Sequence, residues 1–161
     1  ALSRFSVAID GELLGSSGKA QRKILDLLCL LVSAGEEGVS LERAMDDLWP
    51  EQDGARAYQA LSTALHRLRR LLDRPDSVLT QNGRVSLNPN LCWVDAWAFE
   101  RQLEAARTTG ATGDLERAVS LYEDRVRGAA DEDDVRLGAY REKLHRRYIG
   151  AVAALGRPLH R

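Results

Sequence analysis

The run Ala-Arg-Ala-Tyr-Gln-Ala-Leu-Ser-Thr-Ala-Leu-His-Arg-Leu-Arg-Arg-Leu-Leu at residues 55–72 constrains this chain more than any other. At 100° per residue, Leu61, Ala64, Leu65, Leu68, Leu71 and Leu72 gather on one face. Ser62, Thr63, His66, Arg67, Arg69 and Arg70 occupy the rest of the surface. The stretch is therefore expected to be a helix buried on one side and cationic on the other. Short hydroxyls and guanidinium groups are what a helix in a DNA major groove presents to base edges and phosphates. Taken alone, the same pattern also suits a surface helix whose arginines are simply solvated.

The residues that follow change the balance. After Asp-Arg-Pro-Asp come Ser77-Val-Leu-Thr80, then Gln81-Asn-Gly-Arg84, then Val85-Ser-Leu87. Two β-rich runs around an Asn-Gly pair predict a hairpin, because both central residues tolerate positive φ. Arg84 stands beside its tip. A cationic helix, a short break and a hairpin with a cation at its end make the layout of a winged helix-turn-helix. There the helix enters the major groove, and the hairpin touches the neighbouring minor groove or backbone.

The net charge of −1 over 161 residues gives the whole chain no basic signature. The cations are local: six arginines lie between Arg56 and Arg84, against Asp73 and Asp76, while acids crowd Glu36-Glu37, Asp46-Asp47 and Asp131 to Asp134. Cys29 and Cys92 sit in apolar surroundings and read as core thiols rather than a disulfide or a metal pair. His66, His145 and His160 show no ligand spacing, so neither a metal nor another cofactor is expected. Gly15-Ser-Ser-Gly-Lys19 lacks the spacing of a phosphate-binding loop, and no nucleophile, base and acid set is visible, so an enzyme is not expected. With no signal peptide and no run long enough for a membrane span, the chain is placed in the cytoplasm by default and away from membranes. Its one methionine is Met45, and it reads as part of a longer protein.

Along the chain, Arg4 to Ile9, with Phe5, Val7 and Ile9 on one side, predicts a small hairpin through Asp10-Gly11. A helix is expected over 20–34, with Gly35 as its C-terminal cap. Val39 is a short extended element, and Ser40 caps a helix over 41–48 that Trp49-Pro50 ends. Beyond Asn88-Pro-Asn90, Asp95 is expected to cap a helix over 96–108, and residues 109–113 read as a linker. Asp114 caps a short helix to about Tyr122, residues 125–134 form an acidic loop, and a last helix runs over 135–155 before a frayed tail from Gly156. The expected fold is mainly α with small β-hairpins: a winged helix-turn-helix over 1–90 and a short tetratricopeptide-like helical extension over 91–161. Trp49, Trp93 and Trp97 lie at element boundaries and read as packing residues rather than a stacking platform for single strands, with Trp93 and Trp97 docking the helical half. The basic run Arg141, Lys143 and His145 to Arg147 reads as a solvated or internally paired face.

Residues 1–90 resemble the OmpR/PhoB class of winged-helix DNA-binding domains, in the form found in Streptomyces antibiotic regulatory proteins (SARP). The matching residues are Asp10-Gly11, the leucine-rich Ile24 to Leu31, Val39-Ser-Leu41, Leu48-Trp-Pro50 and Leu61 to Leu72. Residues 95–155 resemble the start of the bacterial transcriptional activator domain (BTAD) through Asp95-x-x-x-Phe99, Ala118-Val-Ser-Leu-Tyr122 and the long last helix. Family members carry such domains alone or fused to nucleotide-hydrolysing or receiver modules of signal transduction. The resemblance implies a transcriptional regulator, and an activator within that class, that binds double-stranded DNA, on direct repeats as two copies side by side. It places Ser62, Thr63, His66 and Arg67 at base edges, Arg69 and Arg70 toward the backbone, Arg56 and Tyr58 near phosphates, and Arg84 at the wing tip. It also implies contact between RNA polymerase and the loop from Trp49 to Ala55, where Glu51 and Asp53 suit a basic partner. The sequence departs from the usual pattern at Ala64 and Leu65, so base contact rests on few polar groups. An alternative stays open: a protein-interaction adaptor within a larger signalling protein, to which near-neutral charge is suited.

Overall fold

The computed structural model describes residues 8–9, 12–13, 19–126 and 137–156. The expected positions of Phe5 and Val7, the Asp10-Gly11 turn, the 15–18 loop, most of the acidic loop and the tail beyond Gly156 lie outside them. The element order is β1 (Ala8–Ile9), β2 (Glu12–Leu13), α1 (Lys19–Ala34), β3 (Val39–Ser40), α2 (Leu41–Leu48), α3 (Gly54–Leu71), β4 (Val78–Gln81), β5 (Arg84–Leu87), α4 (Asp95–Thr109), α5 (Thr112–Leu121) and α6 (Gly138–Ala154). The fold is mainly α, a winged helix-turn-helix with a helical extension. It divides into two compact units between Cys92 and Trp93.

In the first unit, β1 and β2 pair antiparallel with Ala8 opposite Leu13. A second antiparallel sheet has the order β3-β5-β4, with Val39 opposite Val85 and Val78 opposite Leu87. The α1 stripe Ile24, Leu27, Leu28 and Leu31 meets Ala44 and Leu48 of α2, the α3 stripe, and Val78, Val85 and Leu87 in a buried core. Each helix boundary has a local cause. Ser40 Oγ accepts from the Arg43 amide at 3.1 Å and starts α2, while Gly35 at φ +76° follows α1. Gly38 is fixed more tightly: φ is +74°, and a Cβ there would lie 2.2 Å from the Val85 carbonyl oxygen.

In the second unit, α4 and α5 form an antiparallel helical hairpin, and α5 runs on through a π-helical turn over Tyr122–Val126. Three expectations change here. Asp95 begins α4 instead of capping it, since Val94 holds the N-cap position and the Asp95 carboxylate accepts from the Trp93 indole N–H. The linker shrinks to Gly110-Ala111, with Gly110 left-handed at φ +67° and α5 starting at Thr112. Asp114 then sits inside α5, accepting from Thr109 Oγ1 and pairing with Arg117 at 2.9 Å. Tyr122 and Tyr148 stack in the interior with their rings 4.3 Å apart, and Phe99 meets Tyr122 at a tilt of 48°. Glu100 accepts from the Tyr140 hydroxyl at 2.8 Å and from Arg147 at 2.9 Å. Burial first, and then that hydrogen bond, push the Tyr140 phenol well above its ordinary value. Trp97 is buried as expected, but Trp93 is 70% exposed, its ring met by the Arg101 guanidinium rather than by packing.

Candidate nucleic-acid interface

α3 is the longest described helix of the first unit, and its ends are both closed by side chains or backbone. Asp53 is its N-cap and accepts from the Arg56 amide at 2.9 Å. At the other end Asp73 is left-handed at φ 55°; its amide bonds to the Arg70 carbonyl and the Arg74 amide to that of Arg69. Those two bonds are a Schellman closure, built on aspartate where glycine is usual. Between the caps, Ala57, Leu61, Ala64, Leu65 and Leu68 are buried, while Leu71 and Leu72 are half-buried.

The opposite face is open. Ser62, Thr63, His66, Arg67 and Arg70 are all exposed, and Gln59 joins them one turn earlier. Gln59 was not singled out from the sequence, although its spacing of three, four and seven residues from Ser62, Thr63 and His66 puts it on their stripe. Among the described residues, the side chains of Ser62, His66, Arg67 and Arg70 take part in no hydrogen bond or ion pair. The Thr63 hydroxyl donates to the Gln59 carbonyl at 3.0 Å, leaving only its acceptor capacity outward. Tyr58 is 56% exposed near the helix start, and Arg56 reaches back to Asp53 at a loose 4.0 Å.

Two arginines behave differently. Arg69 is half-buried, and its Nε and Nη2 donate to the Val78 carbonyl at 3.1 and 2.9 Å while Nη2 also reaches Thr80 Oγ1 at 3.0 Å. It ties α3 to β4, an edge strand of the sheet. Arg84 donates through Nε to the Glu37 carbonyl and through Nη2 to that of Gly38, at 3.2 and 2.9 Å. The hairpin has the turn the sequence predicts, with Asn82 at φ 54° and Gly83 at φ 71°. Its tip does not project freely, because the Gly83 carbonyl accepts from the Leu41 amide at 2.9 Å. The loop between α2 and α3 is short; Glu51 is exposed, while the Asp53 carboxylate is engaged as the α3 cap.

On the flank of α3 toward α1 lies an open groove of about 450 Å³, lined by Lys23 and Trp49 and by Arg56, Gln59, Thr63 and Arg67 of α3. The Lys23 ammonium stands 5.4 Å from the centre of the half-buried Trp49 ring. Among the described residues no cluster of histidine, cysteine and carboxylate side chains could hold a metal ion, and no helix is long and apolar enough to cross a membrane.

No family model and no curated protein matches the sequence. A solved structure of Mycobacterium tuberculosis EmbR, described in complex with a low-affinity phosphopeptide, is similar in fold, with a TM-score of 0.60 and 23% identity over 97% of this chain. That match takes in 45% of EmbR, so the chain spans less than half of that protein's length. The likeness shows a shared fold over nearly the whole of this chain.

Proposed function

We propose that this chain is a DNA-binding transcriptional regulator in which α3 lies in the major groove. The observation that carries the proposal is the outward stripe of α3, where polar and cationic side chains stand exposed while the helix is anchored by five buried residues behind them. A helix with its side chains is about 10–12 Å across, close to the width of the major groove of about 12 Å. Gln59, Ser62, Thr63 and His66 then face base edges, the amide of Gln59 being of the type that pairs with adenine. Arg56, Arg67 and Arg70 meet phosphates, with Tyr58 beside them; Arg67, expected at a base edge, is moved to this group because it lines the same flank groove as Arg56. Arg69 and Arg84 hold the hairpin against α3 and β3 and so set where it meets the duplex. Glu51 is offered from the α2–α3 loop to a basic surface of RNA polymerase. The helical unit is the beginning of a BTAD-like array, and two copies bind side by side on direct repeats.

The test is fluorescence anisotropy of the full chain with a labelled mixed-sequence duplex across a salt series. Three phosphate contacts at about −0.9 each predict a log–log slope near −2.7 for the helix arginines alone. Arg67→Ala and Arg70→Ala should each make the slope shallower by about 0.9. Duplex binding that is absent at low salt, or indifferent to both substitutions, overturns the proposal in favour of a protein-binding adaptor.

A further inference from the structure

The groove beside α3 brings together cations from two helices that the sequence does not associate. Arg56 and Arg67 are eleven residues apart in α3, three turns along one flank, and Lys23 comes from the first turns of α1. No carboxylate lines this groove among the described residues; Asp53 touches Arg56 at 4.0 Å, but its oxygen caps the helix from outside the groove. Trp49 forms the wall under Lys23, and a cation over an aromatic face is held in place without being neutralised. Ile24, Ala60 and Ala64 also line the groove, so what suits it to an anion is its three cations with no lining carboxylate among the described residues.

The same flank has a fixed position relative to a bound duplex. A helix that fills the major groove turns each flank toward one phosphate wall. The flank bearing Arg69 is closed by β4, and the flank bearing Arg56 and Arg67 opens onto this groove. On the basis of the DNA-binding function proposed above, we infer that the groove between α1 and α3 seats a backbone phosphate of the duplex, with Lys23 as an additional contact contributed by α1. The occupant is a phosphodiester of the DNA that α3 reads, and the contact is independent of base sequence. Lys23 therefore extends the footprint outside the helix-turn-helix pair and adds to affinity without adding to specificity.

The salt series on the full chain tests this with Lys23→Gln, Lys23→Arg and, as a control for net charge, Lys143→Gln on exposed α6 surface. With Lys23 engaged, the wild-type slope should approach −3.6, about four contacts, and Lys23→Gln should bring it to about −2.7. Lys23→Arg should keep the wild-type slope, and Lys143→Gln should not change it. The loss on Lys23→Gln should be equal for duplexes of different sequence, and the lost Lys23–Trp49 contact should lower the thermal midpoint of the free protein by no more than about 4 °C. Duplex binding whose slope is the same with and without Lys23, or falls equally with Lys143→Gln, overturns the phosphate seat and leaves the regulator function standing. Failure of the wild-type chain to bind duplex overturns both.

Discussion

Two adjacent arginines, alike in the sequence, are placed in opposite surroundings by the fold. The hydrogen bonds of Arg69 run to Val78 and Thr80, while Arg70, exposed on the next position of the helix, meets nothing among the described residues. Hydrogen bonds to a charged group contribute about 1.5–3 kcal/mol in net terms, and the three of Arg69 share one half-buried guanidinium, so Arg69→Ala should destabilise the chain by at least about 2 kcal/mol. Arg70→Ala, on an open face, should change stability by no more than about 0.5 kcal/mol. Urea titration separates them, and the salt slope of duplex binding should separate them in the reverse order. Equal effects of the two substitutions on stability would contradict the bracing geometry. Arg84 belongs with Arg69, because its partners are the carbonyls on the far side of β5.

At the scale of elements, α3 shows how local chemistry sets boundaries. Its start follows from Asp53, whose carboxylate satisfies an amide that the first turn leaves unpaired. Its end needs one left-handed residue, and the chain supplies Asp73 at φ 55°. A left-handed conformation costs a residue with a Cβ roughly 1–2 kcal/mol, somewhat less for aspartate, which can bond locally. Asp73→Gly should therefore raise stability by about 0.5–1 kcal/mol, read as a higher urea midpoint with an unchanged denaturant slope. A lower midpoint would show that the Asp73 side chain contributes more than its backbone strain removes. The hairpin obeys the same logic at Asn82-Gly83, where two positive-φ residues join β4 to β5.

For the molecule as a whole, the helical unit carries a pH dependence in its buried Tyr140. Tyr140 is buried and donates to Glu100, and its phenol is held neutral to well above the ordinary value of 10.0. In the unfolded chain the same phenol ionises near 10. Stability from this group is thus complete below about pH 10 and is lost as the pH rises beyond that. Thermal midpoints should fall steeply above about pH 10, and Tyr140→Phe should flatten that fall while lowering stability at neutral pH through the lost hydrogen bond, Glu100 then keeping Arg147 as its partner. A midpoint that declines equally in both forms would remove Tyr140 as the cause.

Periodicity and turn chemistry determined most of what is local here. The α3 stripe from Leu61 to Leu68, the Ser40 cap, the end of α2 at Trp49 and the Asn82-Gly83 turn follow from residue types and spacing, because each depends on neighbours within about four residues. Boundaries around Asp95 and Asp114 were less legible, since a carboxylate before a helix and one in its first turn are both favoured by the same helix dipole. Only the tertiary structure decided which cations remain available to a partner. Arg69 and Arg84 find carbonyl acceptors 9 and 46–47 residues away, and Lys23 joins Arg56 and Arg67 across two helices. Side-chain charge is written in the sequence, but whether a backbone acceptor stands within hydrogen-bonding distance of it is a property of packing, and no pattern along the chain encodes that distance.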